Sequence, residues 1–77
     1  MANEPAELVI DIREDLDVEQ RAFLVARLEN ESGIVNAWFA GEDHHCLTIH
    51  YEPEHFSHET LLDTIRRQGF HVRIVDT

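Results

Sequence analysis

In some segments of this chain every second residue is apolar, and in others the apolar residues recur at helical spacing. The order of these segments is the feature that most restricts the fold. Leu8, Ile10 and Ile12 alternate with other residues, which predicts a half-buried strand. From Val18 onward the apolar residues recur at helical spacing, and Gly33 provides a stop signal. The first part of the chain therefore predicts a strand followed by a helix.

The first predicted helix has a defined apolar stripe. Ala22, Val25 and Leu28 fall on one face, and Leu24 widens that face. Phe23 falls outside the stripe, and the pattern gives it no packing role. We therefore expect the stripe, without Phe23, to face the core.

The second part of the chain predicts a hairpin and a second helix. Residues 34–40 and 46–51 have strand character and flank residues 41–44, which are rich in turn formers. Ser57 is a suitable helix cap ahead of the apolar positions of the second helix. A last strand is predicted for residues 71–75.

The last strand completes the order βαββαβ, and we expect it to bury Val72 and Ile74. Two such split units predict an α+β, ferredoxin-like sandwich, with a four-stranded antiparallel sheet and both helices on one face. Right-handed crossovers place the first and third strands at the centre. This arrangement brings the loop at residues 14–17, the hairpin at His44 and His45, and the turn at residues 69–71 to the same end of the sheet.

The size and charge of the chain restrict its functional class. Its 77 residues, 43% of them apolar, can form one small core, which we assign to residues 7–77 after a flexible tail at 1–6.

A net charge of −10 disfavours nucleic acid as a partner, and no apolar run is long enough for direct membrane insertion. The single cysteine, Cys46, excludes an internal disulfide. Without an export signal, we expect a cytoplasmic location.

Several short segments resemble the heavy-metal-associated domain family, which includes copper chaperones and cytosolic modules of transition-metal P-type ATPases. They are Gly33-Ile34, residues 47–54 (Leu-Thr-Ile-His-Tyr-Glu-Pro-Glu), Phe56-Ser57 and Gly69-Phe70. The resemblance covers residues 7–75. It implies a non-enzymatic domain that binds metal ions or is associated with metal transport, with a transporter or another protein with a basic surface as its partner.

The resemblance is to a divergent member of the family, because the family's Cys-x-x-Cys motif is missing from this chain. The family holds a soft ion at the junction of the first strand and first helix, and the thiol positions fall here on Asp17 and Gln20. Neither residue offers a soft donor, so dithiol exchange of Cu(I) is not implied. The same two residues also form a variant of the capping box, which is the simpler interpretation.

A different donor set is available at the same end of the predicted sheet. Asp15, Asp17, His44, His45 and Cys46 would supply oxygen, nitrogen and one sulfur to a borderline divalent metal such as zinc, nickel, cobalt or copper(II). The alternative is a polar hairpin tip whose histidines are solvated and bind no metal.

A metal-free role remains open alongside metal binding. Asp11, Trp38, Thr48 and His50 are predicted on the open face of the sheet, where they would form an interaction or regulatory surface together with the acidic loop. No phosphate-binding loop or nucleophile motif is present, so we do not expect an enzyme.

Overall fold

The computed structural model describes residues 5–40 and 45–75. Its elements follow the predicted order and are β1 (Ala6–Ile12), α1 (Val18–Glu29), β2 (Ile34–Ala40), β3 (Cys46–Tyr51), α2 (His58–Arg66) and β4 (Val72–Ile74). β1 begins at Ala6, inside the segment predicted as a tail, and residues 1–4 lie outside the described part. No helix among the described residues is long and apolar enough to cross a membrane.

The four strands form one antiparallel sheet in the order β2-β3-β1-β4. β1 and β3 lie at the centre, as predicted, and their register places Leu8 opposite Ile49 and Ile10 opposite Leu47. These residues carry the alternating apolar positions, so a shift by one residue would move them to the wrong face. The α+β, ferredoxin-like fold predicted from the sequence is confirmed.

One hydrophobic core fills the space between the sheet and the two helices. Ile10, Leu47, Ile49 and Ile65 are completely buried within it. The remaining members come from β1, β2, β3 and both helices, and they are Leu8, Ile12, Leu24, Leu28, Ala37, Tyr51, Leu61 and Leu62. The opposite face of the sheet is not covered by any described helix.

Two positions of the predicted core are wrong. Ala22 is exposed, because α1 meets the sheet mainly through Leu24 and Leu28 and its buried stripe is narrower than predicted. Ile74 is 47% exposed, because it lies on β4, a three-residue strand at the edge of the sheet. Phe23, which had no place in the predicted stripe, is also exposed.

Candidate functional site

The loop of residues 13–17, between β1 and α1, lies against two other segments at one end of the sheet. The backbone N–H of Ile12 donates to the carbonyl oxygen of His45 at 2.9 Å, and that of Arg13 donates to the carbonyl oxygen of His71 at 2.9 Å. These bonds continue the antiparallel pairing of β1 beyond its neighbours. The predicted meeting of the loop with His45 and with the turn before β4 is therefore confirmed.

The imidazole of His45 contacts the loop through both ring nitrogens. Its Nδ1 lies 2.7 Å from the carbonyl oxygen of Ile12, and its Nε2 lies 2.9 Å from Oδ1 of Asp15. A carbonyl oxygen only accepts, so Nδ1 carries a proton and Nε2 is the atom that faces the carboxylate. A backbone carbonyl on one ring nitrogen is a common way of orienting a histidine whose other nitrogen binds a metal.

A second histidine holds the preceding residue of the same loop. The backbone N–H of His71 donates to Oε1 of Glu14 at 2.9 Å, and its Nδ1 lies 2.6 Å from Oε2 of the same carboxylate. The hydrogen bond from the His71 side chain is the main cause that lowers the pKa of Glu14. The sequence predicts these segments at one end of the sheet but does not predict the contact between Glu14 and His71, because no motif links residues so far apart in the chain.

The two residues at the family's thiol positions serve the start of α1. Oδ1 of Asp17 accepts the backbone N–H of Gln20 at 2.8 Å, and Oε1 of Gln20 accepts the backbone N–H of Asp17 at 3.0 Å. This is a complete capping box and confirms the capping interpretation. The helix start thereby gains two satisfied N–H groups.

Among the described residues, Asp17 and Cys46 are not gathered with the pair formed by Asp15 and His45. Cys46 is a half-buried free thiol opposite Asp11 in the sheet register. His44 lies outside the described residues. Within 5–40 and 45–75, no group of three or more histidine, cysteine, aspartate or glutamate side chains is arranged to hold a metal ion. Among the described residues of the predicted ligand set, two side chains therefore lie together, those of Asp15 and His45.

Three of the four residues predicted on the open sheet face, Trp38, Thr48 and His50, are neighbours in the sheet. Trp38 pairs with Thr48 in the register of β2 and β3, and its ring makes an edge contact with His50 at a centroid distance of 4.9 Å. Nε2 of His50 lies 2.9 Å from Oε1 of Glu7 on β1. These contacts link three adjacent strands across the uncovered face.

Asp11 occupies the other side of the same face. It is opposite Arg73 in the register of β1 and β4, and its Oδ2 lies 3.7 Å from a guanidinium nitrogen of that arginine. The carboxylates of Asp11 and Glu7 thus each have a basic side chain nearby.

Comparison with known proteins places the fold. No protein-family model matches the chain, and no curated protein matches it. Among solved structures, the chain is similar to the N-terminal domain of a potential copper-translocating P-type ATPase from Bacillus subtilis in its Cu(I)-loaded state. The TM-score is 0.77 at 18% sequence identity, over 91% of this chain and 86% of that domain. At this identity the similarity establishes a shared fold.

Proposed function

We propose that this chain is a non-enzymatic metal-handling domain that binds a metal ion, or serves metal transport, without a dithiol. The observation that carries the proposal is the position of His45 beside Asp15, at the junction of β1 and α1. Members of the family that the sequence resembles hold their ion at the equivalent junction. The solved domain of similar fold, from a potential copper transporter, contains Cu(I). Both considerations support a metal role at this end of the sheet.

The donor atoms select the type of ion. An imidazole nitrogen from His45 and a carboxylate oxygen from Asp15 suit zinc, nickel, cobalt or copper(II). Cu(I) prefers thiolates, and the residues at the family's thiol positions cap a helix instead. We propose His44, the neighbour of His45 in sequence, as a third donor. Water would complete the coordination, so binding is expected to be weak.

The orientation of His45 suits such a site. With Nδ1 bound to the carbonyl oxygen of Ile12, Nε2 is directed toward Asp15, and a metal ion would take the place of a proton on Nε2. The Asp15 side chain is 95% exposed, whereas that of His45 is 22% exposed. The imidazole is therefore held in place by the fold, while the carboxylate is free to move toward an ion.

Titration of the whole chain with each of the four ions, followed by histidine NMR resonances, tests the proposal. We expect saturable shifts of the His45 ring signals at micromolar metal and a weaker response in Asp15→Asn. His50→Gln is the matched control for His45→Gln, because His50 lies on the open sheet face. Absence of saturable shifts, or an equal loss in both glutamine variants, would contradict the site.

We further propose that a cytoplasmic transporter segment, or another protein with a basic surface, is the partner in this role. A net charge of −10 favours such a partner over acidic ones.

A further inference from the structure

The outer edge of β4 has backbone groups directed away from the sheet. Where β4 pairs with β1, the N–H of Val75 donates to the carbonyl oxygen of Val9 at 2.9 Å. Backbone groups of an antiparallel strand point alternately to its two sides, so those of Val72 and Ile74 point away from β1. No other described residue forms a hydrogen bond with these groups. The outer edge of β4 therefore offers two donors and two acceptors to a further strand.

The side chain of Ile74 also lacks a neighbour on this side. Ile74 is opposite Ile10, which is completely buried, yet Ile74 itself is 47% exposed. Val72, on the same face of the strand, is half-buried. A strand beyond β4 would cover these side chains with apolar side chains of its own, and burial of apolar surface favours such an addition.

Basic side chains flank this edge on both faces of the sheet. Arg13, His71 and Arg73 line a depression on the open face, and Arg66 lines another between α2 and β4. The chain has 16 acidic residues and only six arginines, and three of these arginines adjoin this strand of three residues. Arg13 and Arg66 form no ion pair with any described carboxylate. The edge is therefore locally basic.

Two carboxylates lie among these basic groups, and each has a basic partner. Asp11 lies 3.7 Å from Arg73, and Glu14 binds His71 through both carboxylate oxygens. The positive charges of the other two arginines remain in excess. At physiological ionic strength, interactions between exposed charges are screened beyond about 8 Å. A segment bound at this edge therefore interacts more strongly with the nearby arginines than with the distant acidic residues that give the chain its net charge.

We propose that the outer edge of β4 binds an extended acidic segment of a partner protein, which joins the sheet as a fifth strand. In such a strand an acidic residue lies opposite Arg73 on the open face, and apolar residues lie opposite Val72 and Ile74 on the helical face. A second copy of β4, paired antiparallel in register, would instead place one Arg73 opposite another, and like charges at opposed positions repel. The proposal uses neither Asp15 nor His45 and does not rest on the proposed metal site.

The capped peptide acetyl-Glu-Val-Glu-Val-Glu-amide is the probe, added to the full chain and followed by amide hydrogen exchange. The amides of Val72 and Ile74 are expected to exchange more slowly, by about tenfold or more at saturation, because the added strand bonds to them. The amide of Arg73 already faces β1 and should change much less. A second peptide, with lysine in place of each glutamate, keeps the apolar alternation and should not bind.

Two variants and a control test the basic groups. Arg13→Gln and Arg66→Gln should each weaken binding of the acidic peptide by about two- to fivefold, the usual effect of an exposed ion pair. Arg27→Gln is the matched control and should leave binding unchanged: Arg27 is also exposed and forms no ion pair with a described carboxylate, but it lies on α1, which packs beside β2. Unchanged exchange at Val72 and Ile74 with about 1 mM acidic peptide, equal binding of the lysine peptide, or equal weakening by all three variants would overturn the proposal.

Discussion

Replacing Gly33 by alanine is expected to destabilise the domain more than the same change at Gly69. Both glycines have φ of +97°, a conformation that costs an L residue about 1–2 kcal/mol. At Gly69 a new Cβ would meet no atom within 4 Å. At Gly33 it would lie 2.5 Å from Cβ and 2.8 Å from Cγ of His55. Overpacking of this kind adds about 1–3 kcal/mol. We therefore expect a loss of about 2–5 kcal/mol for Gly33→Ala, against about 1–2 kcal/mol for Gly69→Ala.

Urea unfolding followed by far-UV circular dichroism measures both losses. The slope of unfolding free energy against urea concentration should be the same in all variants if they share one unfolded state. His55→Gly removes the two atoms closest to a Cβ at residue 33 and leaves only Cε2 of Phe56, at 3.1 Å, so the excess cost of Gly33→Ala should shrink in that background. The double-mutant cycle isolates this term from the cost of His55→Gly itself. Equal costs for the two alanine variants, or an excess that does not shrink without the His55 side chain, would refute the close approach of residues 33 and 55.

Three further measurements test the site and the core. Asp17→Ala removes the helix cap and should cost about 1 kcal/mol in urea unfolding, whereas Asp15→Ala, at an exposed carboxylate, should cost less; equal costs would contradict the cap. The pKa of Glu14 is lowered in the folded state, so its contribution to stability is complete above the ordinary value of 4.5 and is lost as pH falls through the folded value. His71→Ala should therefore flatten the acid side of the profile of unfolding free energy against pH, and an unchanged profile would count against the pair. Ile10→Ala removes most of a completely buried side chain and should cost about 2–5 kcal/mol by the same urea assay. A smaller loss than that of an alanine variant at an exposed position would contradict this expectation.

The two central strands, β1 and β3, were predictable because both carry the same alternation of apolar residues. Leu8 and Ile10 on β1 face the same core as Leu47 and Ile49 on β3, so the apolar alternation of each strand supports that of the other. Crossover handedness then determined the strand order. At the sheet edge this mutual support ends. Ile74 alternates correctly, yet β4 is short and pairs with β1 alone, and its side chain remains largely exposed.

The candidate site was predictable in position but not in contacts. The capping box could be read from Asp17 and Gln20 because both partners lie within one helical turn. The bonds from His45 to Asp15 and from His71 to Glu14 join residues that are distant in sequence. Strand topology brings their backbones together, but side-chain rotamers decide which carboxylate each ring meets, and no spacing rule encodes that choice.

The charges of the open sheet face bear on the metal-free alternative, in which a basic partner would bind there. Asp11 already lies near Arg73, and Glu7 near His50. Exposed pairs of this kind contribute only about 0–1 kcal/mol, and an incoming cation would have to replace one basic neighbour by another. The net electrostatic gain at this face is therefore small, even in a chain of charge −10. Recognition there would depend on Trp38 more than on the carboxylates, so Asp11→Asn should change the binding of a basic protein much less than Trp38→Ala.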